Sequence, residues 1–138
     1  MFGYKIRMKR KNETMNEKTV ENYPTMQSLQ AMQKFSETYA KRTNTFFCSD
    51  LAITAVVIEG LARHKDEYGA PLCPCRHYDN KTEEVFSTYW NCPCVPMRER
   101  KECHCMLFLT EDSEFSSMQQ KITSDVLLSS INRTKLRV

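Results

Sequence analysis

A chain of 138 residues allows one domain, and its polar ends leave a compact part of about 100 residues, a size at which apolar burial alone gives a modest core. The formal net charge of +3 comes from acids and bases mixed through most of the chain, which excludes a polycation of the nucleic-acid-binding kind. Only two local runs are distinctly basic, Tyr4 to Lys11 and Met97 to Lys101, and either could attract an acidic partner.

No run approaches the roughly 18 apolar residues of a membrane span, and the N-terminus lacks the apolar stretch of a secretory signal. A soluble, unexported protein is expected, with no membrane and no nucleic acid among its partners. In such a chain seven cysteines point to metal binding or redox catalysis rather than to a disulfide framework, and the odd count agrees.

Residues 1–24 are polar and aperiodic and read as a flexible leader; Met8 and Met15 are alternative starts. The leader is basic and acid-poor at its beginning, yet it lacks the amphipathic pattern of an organelle presequence. Residues 25–112 read as the compact domain. Thr25 is a natural N-cap, and Met26, Leu29, Met32, Phe35 and Tyr39 recur at steps of three or four, the stripe of an amphipathic helix that ends at Thr43 to Thr45. A second helix starts at Ser49 or Asp50 and runs through "LAITAVVIEGLARHKDEY" to Gly69, a natural C-terminal stop; it is apolar almost all round to Ile58 and should be the most buried element. Gly60 inside it costs about 1 kcal/mol relative to alanine, which implies a close approach of backbone to something. His64, at the polar end of this helix, is expected on the solvated surface.

Pro71, Pro74, Pro93 and Pro96 forbid one regular element beyond Gly69. "NKTEEVFSTYW" can form a short helix, and "MLFLT", Met106 to Thr110, a short strand or turn. Residues 113–138 are expected to form a polar tail with one weak helix around Asp125 to Ile131.

Six of the cysteines form three C-x-C pairs, Cys73/Cys75, Cys92/Cys94 and Cys103/Cys105, with sixteen residues between the first two pairs and eight between the last two. Three chemistries compete. Four thiolates could bind structural zinc, although tetrahedral zinc usually takes C-x2-C knuckles. Disulfides would have to run between pairs, because a bridge within C-x-C closes a very small ring. Four thiolates could instead hold an iron-sulfur cluster, leaving two thiols beside an electron carrier. Cys48 is left over and reads as a small apolar residue.

The residues from Leu29 to Leu109, with "CPCRHY" and "NCPCVPMRERKECHCMLF" at their centre, closely resemble the catalytic (beta) chain of ferredoxin:thioredoxin reductase, whose CPC-x16-CPC-x8-CHC pattern is specific to that family. The resemblance implies a mainly α, loop-rich, small single-domain iron-sulfur protein. It implies that Cys73, Cys92, Cys94 and Cys103 ligate a 4Fe-4S cluster, and that Cys75 and Cys105 form the redox-active disulfide, Cys75 attacking the target and Cys105 staying at the cluster. The implied activity is reduction of the thioredoxin disulfide with electrons from reduced ferredoxin. The implied partners are ferredoxin, thioredoxin and a variable (alpha) subunit that completes a heterodimer.

His104, between a ligand and a redox cysteine, is expected to carry protons, whereas His77 could orient the site or serve structure alone. Tyr89 and Trp90 are expected to shield the cluster, and Arg98, Arg100 and Lys101 to dock acidic ferredoxin. The Lys-, Asn-, Thr- and Ser-rich ends and only three glycines point to a plastid-encoded protein of the chloroplast stroma, with a cyanobacterial cytoplasm as the alternative. Two rival functions remain: a zinc-binding interaction module, and a related disulfide reductase with another electron donor.

Overall fold

The computed structural model describes residues 23–136, so the expected leader lies outside the described residues apart from its last two. Helix α1, Met26–Thr43, begins as the sequence requires: the Thr25 hydroxyl accepts the Ser28 N–H at 3.1 Å, and Asn44 closes the helix in the left-handed conformation at φ 59°. Leu29 and Met32 bury the predicted stripe, with Phe35 and Tyr39 half-buried; Met26 instead lies exposed at the first turn, outside the core.

Helix α2, Leu51–Tyr68, is the central element. Asp50 caps it by accepting the Ala52 N–H at 3.1 Å, and Gly69, at φ 87°, turns the chain out of it. Phe47 before the helix and Ala55, Ile58, Leu61 and Ala62 within it are buried almost completely, while Val56 faces outward. Asp66 ties α2 to the start of α1, accepting from the Thr25 N–H at 2.7 Å and the Ser28 hydroxyl at 2.5 Å. Against the cost of burial, these bonds hold the Asp66 carboxyl below its ordinary value.

Gly60 is where α2 meets the first cysteine pair. A β-carbon there would fall 2.7 Å from Cβ of Pro74, inside contact distance of a ring that cannot move aside. The close approach expected at this glycine is therefore made by the proline of the first C-P-C.

His64 is buried, contrary to the solvated position expected from its helix end, because the loop after Gly69 folds back over that end. Its Nδ1 lies 2.7 Å from the Leu72 carbonyl, which can only accept, so Nδ1 carries the proton and Nε2 accepts from the Lys81 ammonium at 3.1 Å. Burial lowers the affinity of His64 for a second proton, and Lys81 lowers it further.

Two short helices carry the cysteine region: α3, Lys81–Ser87, capped by Asn80, and α4, Val95–Arg100, with Pro96 in its first turn. α3 buries no residue, and Phe86 on it is 90% exposed. Among the described residues the extended contacts are isolated bridges, Phe46 to Leu109, Cys48 to Ser116 and Leu72 to Asn91. The first two strap residues 46–49 to the chain that follows the third cysteine pair, through Phe46 N–H to Leu109 O and Ser49 N–H to Phe115 O, both at 2.7 Å. Beyond them α5, Ser124–Leu136, packs along α2 and buries Leu127 and Ile131. The weak helix expected in the tail is thus an integral part of the core. Leu127 and Ile131 lie four residues apart on one side of it while Val126 is exposed, so a low apolar content hid a narrow buried stripe.

Two outcomes follow from these contacts. Gly60→Ala gains about 1 kcal/mol of helix propensity but overpacks against Pro74 at a cost of about 1–3 kcal/mol; the denaturation midpoint should fall, and adding Pro74→Gly should recover more than additivity allows. For His64, the folded state disfavours the charged form, so its contribution to stability is complete above pH about 6.5 and is lost as pH falls below it. Denaturant midpoints of the wild type should therefore drop from pH 7 to pH 5, and His64→Gln should flatten that slope.

Candidate active site

Backbone pairing brings the first two cysteine pairs side by side. Cys73 N–H donates to Trp90 O, and Cys92 N–H to Pro71 O, both at 2.9 Å, around the Leu72–Asn91 bridge. Two side chains hold the first C-P-C turn by its carbonyls: His64 on Leu72, described above, and Tyr78, whose hydroxyl donates to Cys73 O at 2.6 Å. Burial, with Cys73 beside it, pushes the Tyr78 phenol far above its ordinary value, so the hydroxyl stays a donor. The second pair is followed directly by α4, and the Cys92–Pro93 peptide is cis. The third pair lies between two residues of positive φ, Lys101 and Met106, a curl that brings Cys103 and Cys105 back towards the first pair.

With Pro74 against α2, the two sulfurs of the first pair separate: Cys73 is 7% exposed, whereas Cys75 is exposed to solvent. Cys75 is disulfide-bonded to Cys105, with the two Cα atoms 5.5 Å apart. Cys105 is buried, and its sulfur also lies 3.1 Å from that of Cys73. The disulfide therefore has one accessible sulfur and one held against the interior.

Behind it Cys73, Cys92, Cys94 and Cys103, all free, line a small cavity whose remaining walls include Val57, Leu61, Met97, Leu107 and Phe108. Burial raises the Cys92 thiol well above its ordinary value, and Cys103, Cys73 and Cys94 push it further. Burial likewise raises Cys73 and Cys103. Acting the other way, the backbone N–H groups of Phe108, Leu107 and Cys105 bond the Cys103 sulfur, and that of Cys75 bonds the Cys73 sulfur. Such bonds favour thiolate, whereas a dry cavity with four thiolates and no cation is unfavourable. A cationic centre with several metal atoms fits this donor set, because it neutralises the thiolates and uses all four. Among the described residues no three His, Cys, Asp or Glu side chains converge as the ligands of a single ion would, so the fit rests on the cavity and its donors.

His104 is exposed at the rim. It borders both the cavity and an outer groove formed with Arg76, Trp90, Arg100 and Glu102 above Cys73, Cys94 and Cys103. Trp90 is half-buried and borders the outer groove, with the Arg76 guanidinium 3.8 Å above its ring. Tyr89 is 43% exposed and packs edge-on against Trp90. His77 serves neither role foreseen for it: its side chain is 91% exposed and faces Asp79 at 3.8 Å. Cys48 is a buried free thiol away from the site. Tyr78 and His64 were not assigned to the site from sequence. Each acts on a backbone carbonyl, a partner with no residue signature; only the nearness of Tyr78 to "CPC" could have hinted at it.

A small helical protein that carries an accessible disulfide in front of a walled set of four free thiols has the arrangement of a thiol–disulfide oxidoreductase. The family described as ferredoxin thioredoxin reductase catalytic beta chain matches residues 22–130, and the chain belongs to it. Among curated relatives, the catalytic chain of ferredoxin-thioredoxin reductase from Guillardia theta is 78% identical over 95 residues, 69% of this chain and 93% of its own. The Synechocystis protein of the same name is 62% identical over 116 residues, 84% of this chain and 91% of its own. A chloroplastic one from Arabidopsis thaliana is 66% identical over 102 residues, 74% of this chain and 70% of its own.

The unequal exposure of the two bonded sulfurs has a direct readout. After anaerobic reduction of the disulfide, iodoacetamide should modify Cys75 at least about tenfold faster than Cys105, as peptide mapping would register. Equal labelling would contradict the geometry.

Proposed function

We propose that this chain is the catalytic subunit of a ferredoxin:thioredoxin reductase, in which Cys73, Cys92, Cys94 and Cys103 hold a 4Fe-4S cluster and Cys75–Cys105 is the disulfide that cycles. The observation that carries the reading is the pairing of an exposed Cys75 with a buried Cys105, whose sulfur lies 3.1 Å from that of a cluster-ligand candidate, Cys73. When bound, the cluster supplies electrons singly to a disulfide that must take two.

The residues divide the remaining work. Two electrons and two protons convert Cys75–Cys105 to a dithiol. Cys75, outside, attacks the disulfide of thioredoxin as a thiolate, giving a mixed disulfide and releasing one thioredoxin thiolate. Cys105 then attacks the Cys75 sulfur, which frees the second thioredoxin thiol and re-forms the resting bond. His104 stands at the rim where protons must enter and leave these sulfurs, and its exposed imidazole can exchange them with solvent. Leu61, Met97 and Phe108 keep water from the cavity side, so Cys105 reacts only with partners that approach through Cys75. Plant-type ferredoxins lie near about −400 mV and thioredoxin near about −270 mV, so the reaction runs downhill by about 6 kcal/mol for two electrons.

The relatives' names supply the donor and acceptor, and the family's two-chain composition supplies a variable subunit as the third partner. Relatives from a chloroplast and from a cyanobacterium agree with either compartment; the Lys-, Asn-, Thr- and Ser-rich ends and only three glycines, the residue usage of an AT-rich gene, favour a plastid gene and the stroma.

Anaerobically purified protein should contain about four irons per chain with matching sulfide; one zinc without visible absorbance would instead support a binding module. With the variable subunit present, ferredoxin-dependent reduction of thioredoxin should proceed in wild type, vanish in Cys75→Ser, and slow by about a hundredfold in His104→Gln. Full turnover by Cys75→Ser would remove Cys75 as the nucleophile.

A further inference from the structure

Once the Cys75–Cys105 bond is cut, something else must keep the exposed sulfur within reach of the buried one. Cys105 is fixed by the interior, whereas Cys75 rides on a loop with few attachments. Among the described residues, those from 74 to 79 make no backbone–backbone hydrogen bond. Of residues 75–80, only Tyr78 is withdrawn from solvent. The His77–Asp79 pair is 3.8 Å long and exposed on both sides, so it adds little order.

The loop is closed by Tyr78. Its hydroxyl donates to the Cys73 carbonyl at 2.6 Å across five positions of sequence, with Cys75 between the two ends. The peptide it grips joins Cys73 to Pro74, and proline has no N–H, so that carbonyl is the only hydrogen-bonding group by which the peptide can be held. The preceding peptide is held at both ends, by His64 on the Leu72 carbonyl and by the Cys73 N–H on Trp90 O. Two further contacts steady the loop, Pro74 against Gly60 and the Arg76 guanidinium over Trp90, and neither joins its two ends.

We propose that Tyr78 is a positioning residue of the disulfide cycle: by closing the loop from Cys73 to Tyr78, its hydroxyl keeps the Cys75 sulfur within reach of Cys105 while the bond between them is open. This deepens the function proposed above and rests on it. The step that depends on Tyr78 is the release of product. There the Cys105 thiolate attacks the Cys75 sulfur of the mixed disulfide; the Cys75–Cys105 bond forms, the bond from Cys75 to the substrate sulfur breaks, and the substrate leaves as a thiolate that takes up a proton. No net electrons are exchanged. The rate of such a step follows the effective concentration of one sulfur around the other, which a closed loop raises and an open one lowers. The first attack, by Cys75 on an incoming disulfide, needs only an exposed sulfur and does not call on Tyr78.

Two anaerobic measurements on the iron-loaded heterodimer test this. Equilibration with mixtures of reduced and oxidised dithiothreitol, followed by alkylation and mass spectrometry, reads how readily Cys75 and Cys105 pair, and it needs neither ferredoxin nor thioredoxin. Tyr78→Phe removes one oxygen and keeps the ring; it should lower the pairing constant about tenfold, a rise of about 30 mV in midpoint potential. Acid quenching during reaction of the reduced enzyme with thioredoxin reads the mixed disulfide. In Tyr78→Phe its decay should slow about tenfold while its formation stays within about twofold of wild type. A role in packing alone would leave both the potential and the ratio of these two rates where they are in wild type. His77→Ala, in the same loop, should change neither. Tyr78→Leu should shift the potential in the same direction by at least as much, which keeps the test open should the phenylalanine variant not assemble. An unchanged potential or an unchanged decay rate in Tyr78→Phe, or an equal shift in His77→Ala, would overturn the proposal. A wild type whose disulfide equilibrates with dithiothreitol but never transfers to thioredoxin would overturn the proposed function and, with it, the step assigned to Tyr78.

Discussion

Pro74 lies against the backbone of α2 at Gly60, and the rest of the site depends on that contact. It fixes how deeply the first cysteine pair sits. With the proline wedged on the helix, the residue before it must turn towards the interior and the residue after it towards solvent. A larger residue at position 60 would lift the whole turn, and the sulfur meant for the interior would lose both its cavity and its neighbour Cys105. The helix accepts a poor helix former at its centre because no other side chain leaves room for the ring.

Around that wedge the protein uses backbone carbonyls as handles. His64 grips Leu72 and Tyr78 grips Cys73, from the end of α2 and from the loop before α3, so two segments of the chain clamp one turn. Lys81 completes the clamp by donating to His64, which keeps the imidazole in the tautomer that the carbonyl needs. The cavity then follows from the paired backbones of the first two cysteine segments and from the curl that returns the third. Apolar residues of α2, Met97 of α4 and the Leu107–Phe108 segment close it from the other side.

How far these features could be read in advance varies with the kind of interaction. The caps of α1 and α2, the stop at Gly69 and the tight approach at Gly60 depend on local residue chemistry, and all four stand as expected. The division of six cysteines into four and two was legible as arithmetic, whereas which thiol belongs to which set followed only from family likeness. What escaped reading is tertiary. His64 looked like a polar helix end until a loop covered it, and His77, read as orienting the site or serving structure, extends into solvent instead. The tail seemed too polar to matter, yet Ile122, Leu127 and Ile131 all reach the core.

The disulfide spans 30 residues of sequence, and the loop it closes contains Cys92, Cys94 and Cys103 but not Cys73. A crosslink of that length restrains the unfolded chain by about 3–4 kcal/mol. The reactive bond is therefore also a staple around most of the proposed ligand set, and every catalytic cycle would cut it. The fold can survive that cut because Cys73 stands outside the loop: its bond to Trp90, the clamp on its carbonyl and a shared metal centre would each join the two sides of the opening. A chain that had lost its metal would meet reduction with that reserve diminished, which ties the protein's durability to the same sulfurs that perform its chemistry.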